Sequence, residues 1–335
     1  MDMQRFMEPW GIKRDLIVKA EEESNPDYGR RPDQRPLQDY IKFGIINLDK
    51  PPGPSSHEVA AWAKRLLNIQ HIGHGGTLDP KVTGILPIAL ESATKIIQAL
   101  LLSGKEYICV TRLHSDVSED RVKAVLNEFI GAIYQRPPIR ASVKRRLRIR
   151  RIYYLNFLEI NGRNLLFRVG CEAGTYIRKL SHDIGETLGC GAHMQELRRT
   201  RSGSLIEDSS LVTLHDVSFF YAQYQETKDE KHIHRFIQPM EKALRLYPKI
   251  IVRDSSVGAI CHGANLAAPG VLALETRIHR NDVVIMYTQK GEAVALAEAL
   301  ASTENTLEKT HGFVAKTRRV LMPRNVYPRK WRIHE

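Results

Sequence analysis

Gly73-His74-Gly75-Gly76-Thr77-Leu78-Asp79-Pro80 is the stretch on which the reading of this chain turns. Three glycines in four positions permit unusual backbone angles and a close approach by a ligand. A phosphate loop would need Gly-Lys-Ser/Thr opening directly into a helix, whereas these glycines lead to Leu-Asp-Pro, so that class is excluded. What remains is an acidic side chain carried on a stiff loop. Asp before Pro is also a common turn starter, and the dipeptide alone leaves that plainer reading open.

The surroundings of the loop are basic. Fifty Lys and Arg stand against 38 Asp and Glu, a net charge of +12, which calls for a polyanionic partner without separating nucleic acid from acidic lipid. Hydrophobic residues at 42% and charged ones at 26% of 335 residues exclude a largely disordered chain and suggest two domains. No apolar run approaches the ~20 residues of a membrane helix, and the N-terminus lacks an apolar signal core, so export is not expected. Cys109, Cys171, Cys190 and Cys261 stand far apart with no Cys-x-x-Cys pair. That spacing suits neither zinc nor a disulfide framework and fits a reduced, cytoplasmic location.

Upstream of the loop, Phe43 to Leu48 reads as a strand stopped by Pro51-Pro52-Gly53-Pro54. Ser55-Ser56-His57-Glu58 has the form of a capping box, followed by Val59, Trp62, Ala63, Leu66 and Leu67 on one helical face. Downstream, Ala93 to Leu102 reads as a helix, Tyr107 to Val110 as a strand, and Val122 to Ile130 as a helix. Ile152 to Ile160 and Leu165 to Cys171 form a hairpin about Asn161-Gly162, and a helix runs from about Tyr176 to Leu188. The mixture lacks a βαβ rhythm, so the expected fold is α+β, a largely antiparallel mixed sheet with flanking helices. The first forty residues are polar, to be read as an extension pinned by something else or as a disordered tail. Ser218 to Pro239 is expected to link two units. Beyond Pro248, short apolar runs between glycine turns point to a small β-barrel-like module.

The glycine loop, with Thr83-Gly84-Ile85-Leu86-Pro87 after it, resembles the signature motif of the TruB family of pseudouridine synthases. More narrowly it is similar to the archaeal dyskerin-like catalytic subunits of box H/ACA ribonucleoproteins. Asn47-Leu48-Asp49-Lys50-Pro51-Pro52-Gly53 matches the family's earlier motif. Lys105-Glu106-Tyr107, Gly174-Thr175-Tyr176-Ile177-Arg178 and Leu197-Arg198-Arg199-Thr200 match later ones in order. The likeness covers about Phe43 to Ser210, and the terminal module resembles a PUA domain. The resemblance implies an extension over 1–42 packing on the PUA module, a catalytic domain over 43–245, a PUA domain over 246–325 and a basic tail over 326–335.

The resemblance further implies that Asp79 is the nucleophile. The uracil detaches, turns and rejoins through carbon five, so no atom is gained or lost and neither metal nor redox cofactor has a task. Tyr107 would lie against the target base, Tyr176 would assist proton removal from carbon five, and Arg178 would pair with Asp79. His74 would help displace the target nucleotide, and Leu197 and Arg198 would line the pocket. Each has a plainer reading: sheet packing for Tyr107, core packing for Tyr176 and Leu197, a turn hydrogen bond for His74, solvated charges for Arg178 and Arg198.

Arg136 to Arg151 holds eight basic residues and no acid, among them Arg140, Lys144, Arg145 and Arg146, and Lys316 to Arg332 adds seven more. Charges so dense repel one another unless phosphates neutralise them. The resemblance assigns the first run to substrate RNA and the second to H/ACA guide RNA. It implies a small zinc-ribbon protein, a small β-barrel protein and a kink-turn-binding ribosomal-type protein as partners, with rRNA or tRNA as substrate. A stand-alone tRNA pseudouridine synthase of the TψC arm and a non-catalytic RNA scaffold are the alternatives.

Overall fold

The computed structural model describes residues 9–137 and 146–328. Two sheets organise them. The larger begins at Gly44–Lys50, a strand whose side chains are nearly all buried, as a strand covered on both faces must be. On one side it carries the short parallel strand Leu211–Val212. On the other it pairs antiparallel with Thr83–Leu90, from Ile45 opposite Ala89 to Lys50 opposite Gly84. The sheet continues through Ala192–Ser202, Lys105–Leu113, Asn164–Cys171, Arg148–Asn161 and Gly131–Gln135. Only the Thr83–Gly84 contact with Arg198–Arg199 is parallel in that series. The result is the α+β, largely antiparallel arrangement expected.

Local signals account for most of the helices. Ser55 and Glu58 close the capping box reciprocally, opening the helix Ser56–Leu67. Its buried stripe runs through Val59, Ala60, Ala63 and Leu67; Trp62, expected on that stripe, is 40% exposed at its edge. The run expected as one helix splits into a 3-10 turn, Glu91–Ile96, and an α-helix, Ile97–Leu102. The hairpin forms one residue along from its expected turn. Asn161 pairs with Asn164, and Gly162, at φ +56°, takes the left-handed position that only glycine occupies freely.

The segment expected as a linker is instead part of the core. Thr213 and Asp216 cap a helix over Leu214–Thr227, which turns Val217, Phe220, Tyr221 and Tyr224 inward at helical spacing. Ile233, Phe236 and Ile237 follow, buried against Ile46, Leu48 and Val59. Gln238–Pro239 then pairs with Gly44–Ile45. Polar composition disguised an amphipathic helix.

The second sheet has the order Leu16–Val18, Val271–Glu275, Lys249–Val252, Val283–Tyr287, Ala293–Ala299, Phe313–Val320, Leu266–Ala267. Its first strand comes from the N-terminal extension, Leu16 pairing with Glu275 and Val18 with Ala273. Farther along the extension, the Asp254 carboxylate accepts from Ser24 and the Asn25 N–H. Nearer the N-terminus, Trp10 packs edge-on against Tyr153 and Tyr154 of the larger sheet, so the extension touches both sheets. One apolar cluster joins them directly: Phe43, Ile45, Ala93 and Leu100 pack with Ile285, Tyr287, Leu296 and Leu321. Beside it the buried Arg35–Glu241 ion pair closes the junction at 2.6 Å. All four cysteines are free. Among the described residues no helix is long and apolar enough to cross a membrane.

Phe236→Ala is expected to lower the unfolding free energy by about 3–5 kcal/mol, read by denaturant or thermal unfolding. A change near zero would return this segment to the status of a linker.

Candidate active site

The glycine loop is held by its backbone. Ile72–His74 forms a short strand on Thr83–Leu90, structure that the glycine content did not suggest. The Gly75 N–H donates to the Pro87 carbonyl at 2.8 Å, and a Cβ on Gly75 would stand 2.8 Å from that of Leu100, so only glycine fits. Ser56, the first residue of the capped helix, meets both backbone groups of Leu78: its hydroxyl accepts from the N–H at 2.8 Å and donates to the carbonyl at 3.2 Å.

Beyond Asp79, the fully buried Lys50 donates to the carbonyls of Pro51, Pro80 and Val82 at 2.8–2.9 Å. The Val82 N–H closes back on the Asp79 carbonyl at 2.9 Å. Burial lowers the Lys50 ammonium, as does the nearby Arg199, while Asp79 acts the other way. Asp79 is thus pinned on both flanks while its side chain stays 54% exposed.

Its Oδ2 is paired with Nη2 of Arg178, which projects from the first turn of Ile177–Leu188. Tyr176, immediately before that helix, is half-buried. Both its backbone groups are bonded to the buried Gln135 side chain, the N–H donating at 2.9 Å and the carbonyl accepting at 3.1 Å.

Beneath the loop lies an unusual floor. Tyr107 stands opposite Arg199 in the Lys105–Leu113/Ala192–Ser202 ladder. Arg199 is 1% exposed and donates to the carbonyls of Ile85 at 2.7 Å and Gly76 at 3.1 Å. Burial lowers the Arg199 guanidinium, and the Tyr107 phenol acts against that fall. Burial raises the Tyr107 phenol, which Arg199 partly offsets. Lys105, also buried, caps the end of Ile97–Leu102 by donating to the carbonyls of Leu100 and Ser103, both at 2.7 Å. Burial, with Arg199 adding repulsion, takes its ammonium down to about 7.

The remaining expected residues divide. His74 packs its ring edge-on against His57, centroids 4.8 Å apart. Its Nδ1 is buried with no hydrogen-bond partner, and burial, then His57, lowers its pKa. Leu197 packs on the apolar side of the sheet opposite Cys109. The Arg198 guanidinium makes a two-point pair with Asp49 at 3.0 and 2.8 Å and a third bond to Glu207 at 2.6 Å. Strand alternation turns Arg199, rather than Arg198, to the face that carries Tyr107. Arg146 is exposed; Arg140, Lys144 and Arg145 lie outside the described residues. Beside Arg178 a cleft of about 1020 Å³ opens between Ile177–Leu188 and Gly131–Gln135, lined by Tyr134, Arg136, Lys179 and His193 among others.

Lys50, Lys105, Arg199 and Gln135 were missed by side-chain reasoning because long polar residues are expected in solvent. Three of them sit inside the quoted motifs, which was the available signal.

Residues 64–177 match the family described as TruB family pseudouridylate synthase, N-terminal domain, and 178–245 the tRNA pseudouridylate synthase B C-terminal domain. Residues 9–60 match the DKCLD domain and 248–321 the PUA domain. A Pyrococcus abyssi protein named probable tRNA pseudouridine synthase B is 54% identical over 331 residues, which are 98% of this chain and 99% of that one. Among solved structures, the chain is similar to one in a Cbf5-Nop10-Gar1 complex, with TM-score 0.93 and 54% identity over 97% of this chain and 99% of the other. It is also similar to one in an H/ACA RNP bound to a substrate RNA containing 2′-deoxyuridine, with TM-score 0.91 and 52% identity over 96% and 99%.

Because the folded-state pKa of Lys105 lies below its unfolded value, the unfolded chain binds the extra proton between about pH 7 and 10, and stability rises with pH in that window. Lys105→Met abolishes this term. In thermal melts its stability relative to the native protein is expected to be greatest near pH 7 and to decline toward pH 10. A flat difference would show that Lys105 keeps an ordinary pKa.

Proposed function

The chain belongs to the TruB family of pseudouridylate synthases, and from that premise we propose that it isomerises uridine to pseudouridine at sites chosen by an H/ACA guide RNA, as the catalytic subunit of a ribonucleoprotein. The observation that carries this reading is the likeness to a subunit of a substrate-bound H/ACA RNP, which extends over 96% of this chain. It takes in the N-terminal extension and the PUA domain as well as the catalytic sheet.

The chemistry follows from the residues gathered at the loop. Arg178 holds one Asp79 oxygen and leaves the other for the nucleotide. The carboxylate adds to the anomeric carbon or to ring carbon six as the bond from ribose to N1 breaks. The ring then turns, carbon five bonds to the sugar, the Asp79 adduct breaks, and the proton from carbon five leaves as one returns to N1. Atoms and charge balance without a co-reactant. Tyr176 takes the carbon-five proton. Tyr107, cross-strand from Arg199, offers an aromatic face that tolerates a base in either orientation.

His74, whose ring packs on that of His57, helps displace the target nucleotide. Extrusion costs about a few kcal/mol, which such contacts offset. Leu197 lines the pocket wall, and Arg198 fixes Asp49 at the head of the Pro51-Pro52-Gly53 turn. The basic run from Arg136, with Arg140, Lys144, Arg145 and Arg146, takes the phosphates of substrate RNA, and the PUA domain takes the guide. Zinc-ribbon, small β-barrel and kink-turn-binding proteins complete the particle, in the reducing cytoplasm that four free thiols suit.

The name of the Pyrococcus abyssi relative favours a second reading, a stand-alone enzyme acting on tRNA. Reconstitution separates the two. With guide RNA and accessory proteins, pseudouridine at the guide-specified uridine of an rRNA-like target is expected to form at least about tenfold faster than without them; equal rates would favour the stand-alone enzyme. In the assembled particle, Asp79→Asn is expected to bind substrate RNA as the native protein does and to form no measurable pseudouridine. Substantial product from that variant would defeat the catalytic assignment.

A further inference from the structure

The turn that delivers Tyr176 and Arg178 is gripped from both ends of the basic segment. On the outgoing side, Gln135 is the last residue of the strand Gly131–Gln135. That strand alternates inward and outward positions, with Tyr134 67% exposed and Gln135 1% exposed. Across a separation of 41 residues, the Gln135 amide meets Tyr176 as a strand would, accepting from its N–H at 2.9 Å and donating to its carbonyl at 3.1 Å. On the return side, the Arg151 N–H donates to the Glu172 carboxylate at 3.1 Å and Arg150 lies 3.8 Å from it. Arg150 also packs against Gly174, whose φ of +77° makes the bend. Thr175 closes the turn by donating to the Glu172 carbonyl at 2.7 Å.

Tyr176 needs such a clamp. It is the residue before the helix, at φ −96° and ψ 103°, and its own side chain makes no capping bond. Its N–H is one of the orphan donors every helix start leaves. Because its carbonyl already receives the Leu180 N–H at 3.0 Å, the Gln135 amide supplies the second bond to that oxygen and the bond to the N–H. A buried amide with both ends engaged admits one orientation, so it holds the two peptide planes flanking the α-carbon from which the phenol projects.

We infer that Gln135 is a positioning residue for the isomerisation: by clamping the peptide of Tyr176 it sets the pose of the phenol and, two residues on, of the Arg178 guanidinium on Asp79. The inference rests on the roles given to Tyr176 and Arg178 above. It assigns Gln135 no contact with RNA. Its loss therefore slows the chemical step and spares binding, since a displacement of about 1 Å in a reacting group can cost on the order of a hundredfold in rate.

The test is single-turnover pseudouridine formation by the particle assembled with guide RNA, measured beside substrate affinity and the melting temperature. Gln135→Met keeps the length of the side chain and removes both bonds. It is expected to lower the rate at least about tenfold with the substrate Kd unchanged, and Tyr176 gains amide exchange while Leu180 stays protected. Gln135→Glu keeps the acceptor alone and is expected to fall between the two. A native rate in Gln135→Met overturns the inference, as does a rate loss matched by an equal loss of RNA affinity. Should Gln135→Met fail to fold, Gln135→Glu decides: a native rate there overturns it as well. Tyr176→Phe is the control for the premise. A native rate in that variant removes the proton-transfer role of the phenol, whichever way the Gln135 variants fall.

Discussion

A carboxylate on a loop is aimed only when the loop backbone has nowhere else to go, and the buried ammonium of Lys50 supplies that constraint. Its three carbonyl partners belong to Pro51, Pro80 and Val82, two of them in the turn directly after Asp79. Moving that turn would strip a buried cation of its acceptors, at a cost on the order of 1–3 kcal/mol or more for each bond lost. Ser56 does the same for Leu78 on the other flank. The two clamps come from Gly44–Lys50 and Ser56–Leu67, so the strand and the helix of the central core are what orient the acid.

The electrostatics beneath the loop follow one pattern. Lys50, Lys105 and Arg199 are all buried, and main-chain carbonyls are their principal partners. Carbonyl dipoles satisfy such cations without neutralising them, and burial first, then repulsion from Arg199, lowers the pKa values of Lys50 and Lys105. Asp79 is the acid that acts on both Lys50 and Tyr107. Buried cations thus lie close to the exposed Asp79 carboxylate, whose ion pair with Arg178 stands at the protein surface.

Where local chemistry dictated structure, the sequence was legible. The Ser55/Glu58 box, the Gly44–Lys50 strand and the Lys105–Leu113 and Ile177–Leu188 elements stand within a few residues of where spacing put them. Ordered motifs placed Asp79 beside Arg178. Reading failed where tertiary packing overrode composition. Thr83–Leu90 carries Gly84 and Pro87, yet it is a central strand paired on Gly44–Lys50, and the Pro87 carbonyl accepts from the Gly75 N–H. Leu214–Thr227 looked like a polar linker because its inward face is largely aromatic and its outward face mixes His215, Ser218, Gln225 and Glu226 with an exposed Phe219. Within Leu197-Arg198-Arg199 the choice between neighbouring arginines depended on strand facing, which only the ladder with Tyr107 decides.

The central claim is that this loop delivers the Asp79 carboxylate to the uridine. The measurement that tests it most directly is a crystal structure of the chain with guide RNA and a substrate bearing an unreactive uridine at the target position. The account predicts an Asp79 oxygen within about 3–3.5 Å of the anomeric carbon or of ring carbon six, as a near-attack geometry requires, with the base lying on Tyr107. A target base seated in the pocket with the carboxylate more than about 6 Å from both carbons would contradict it.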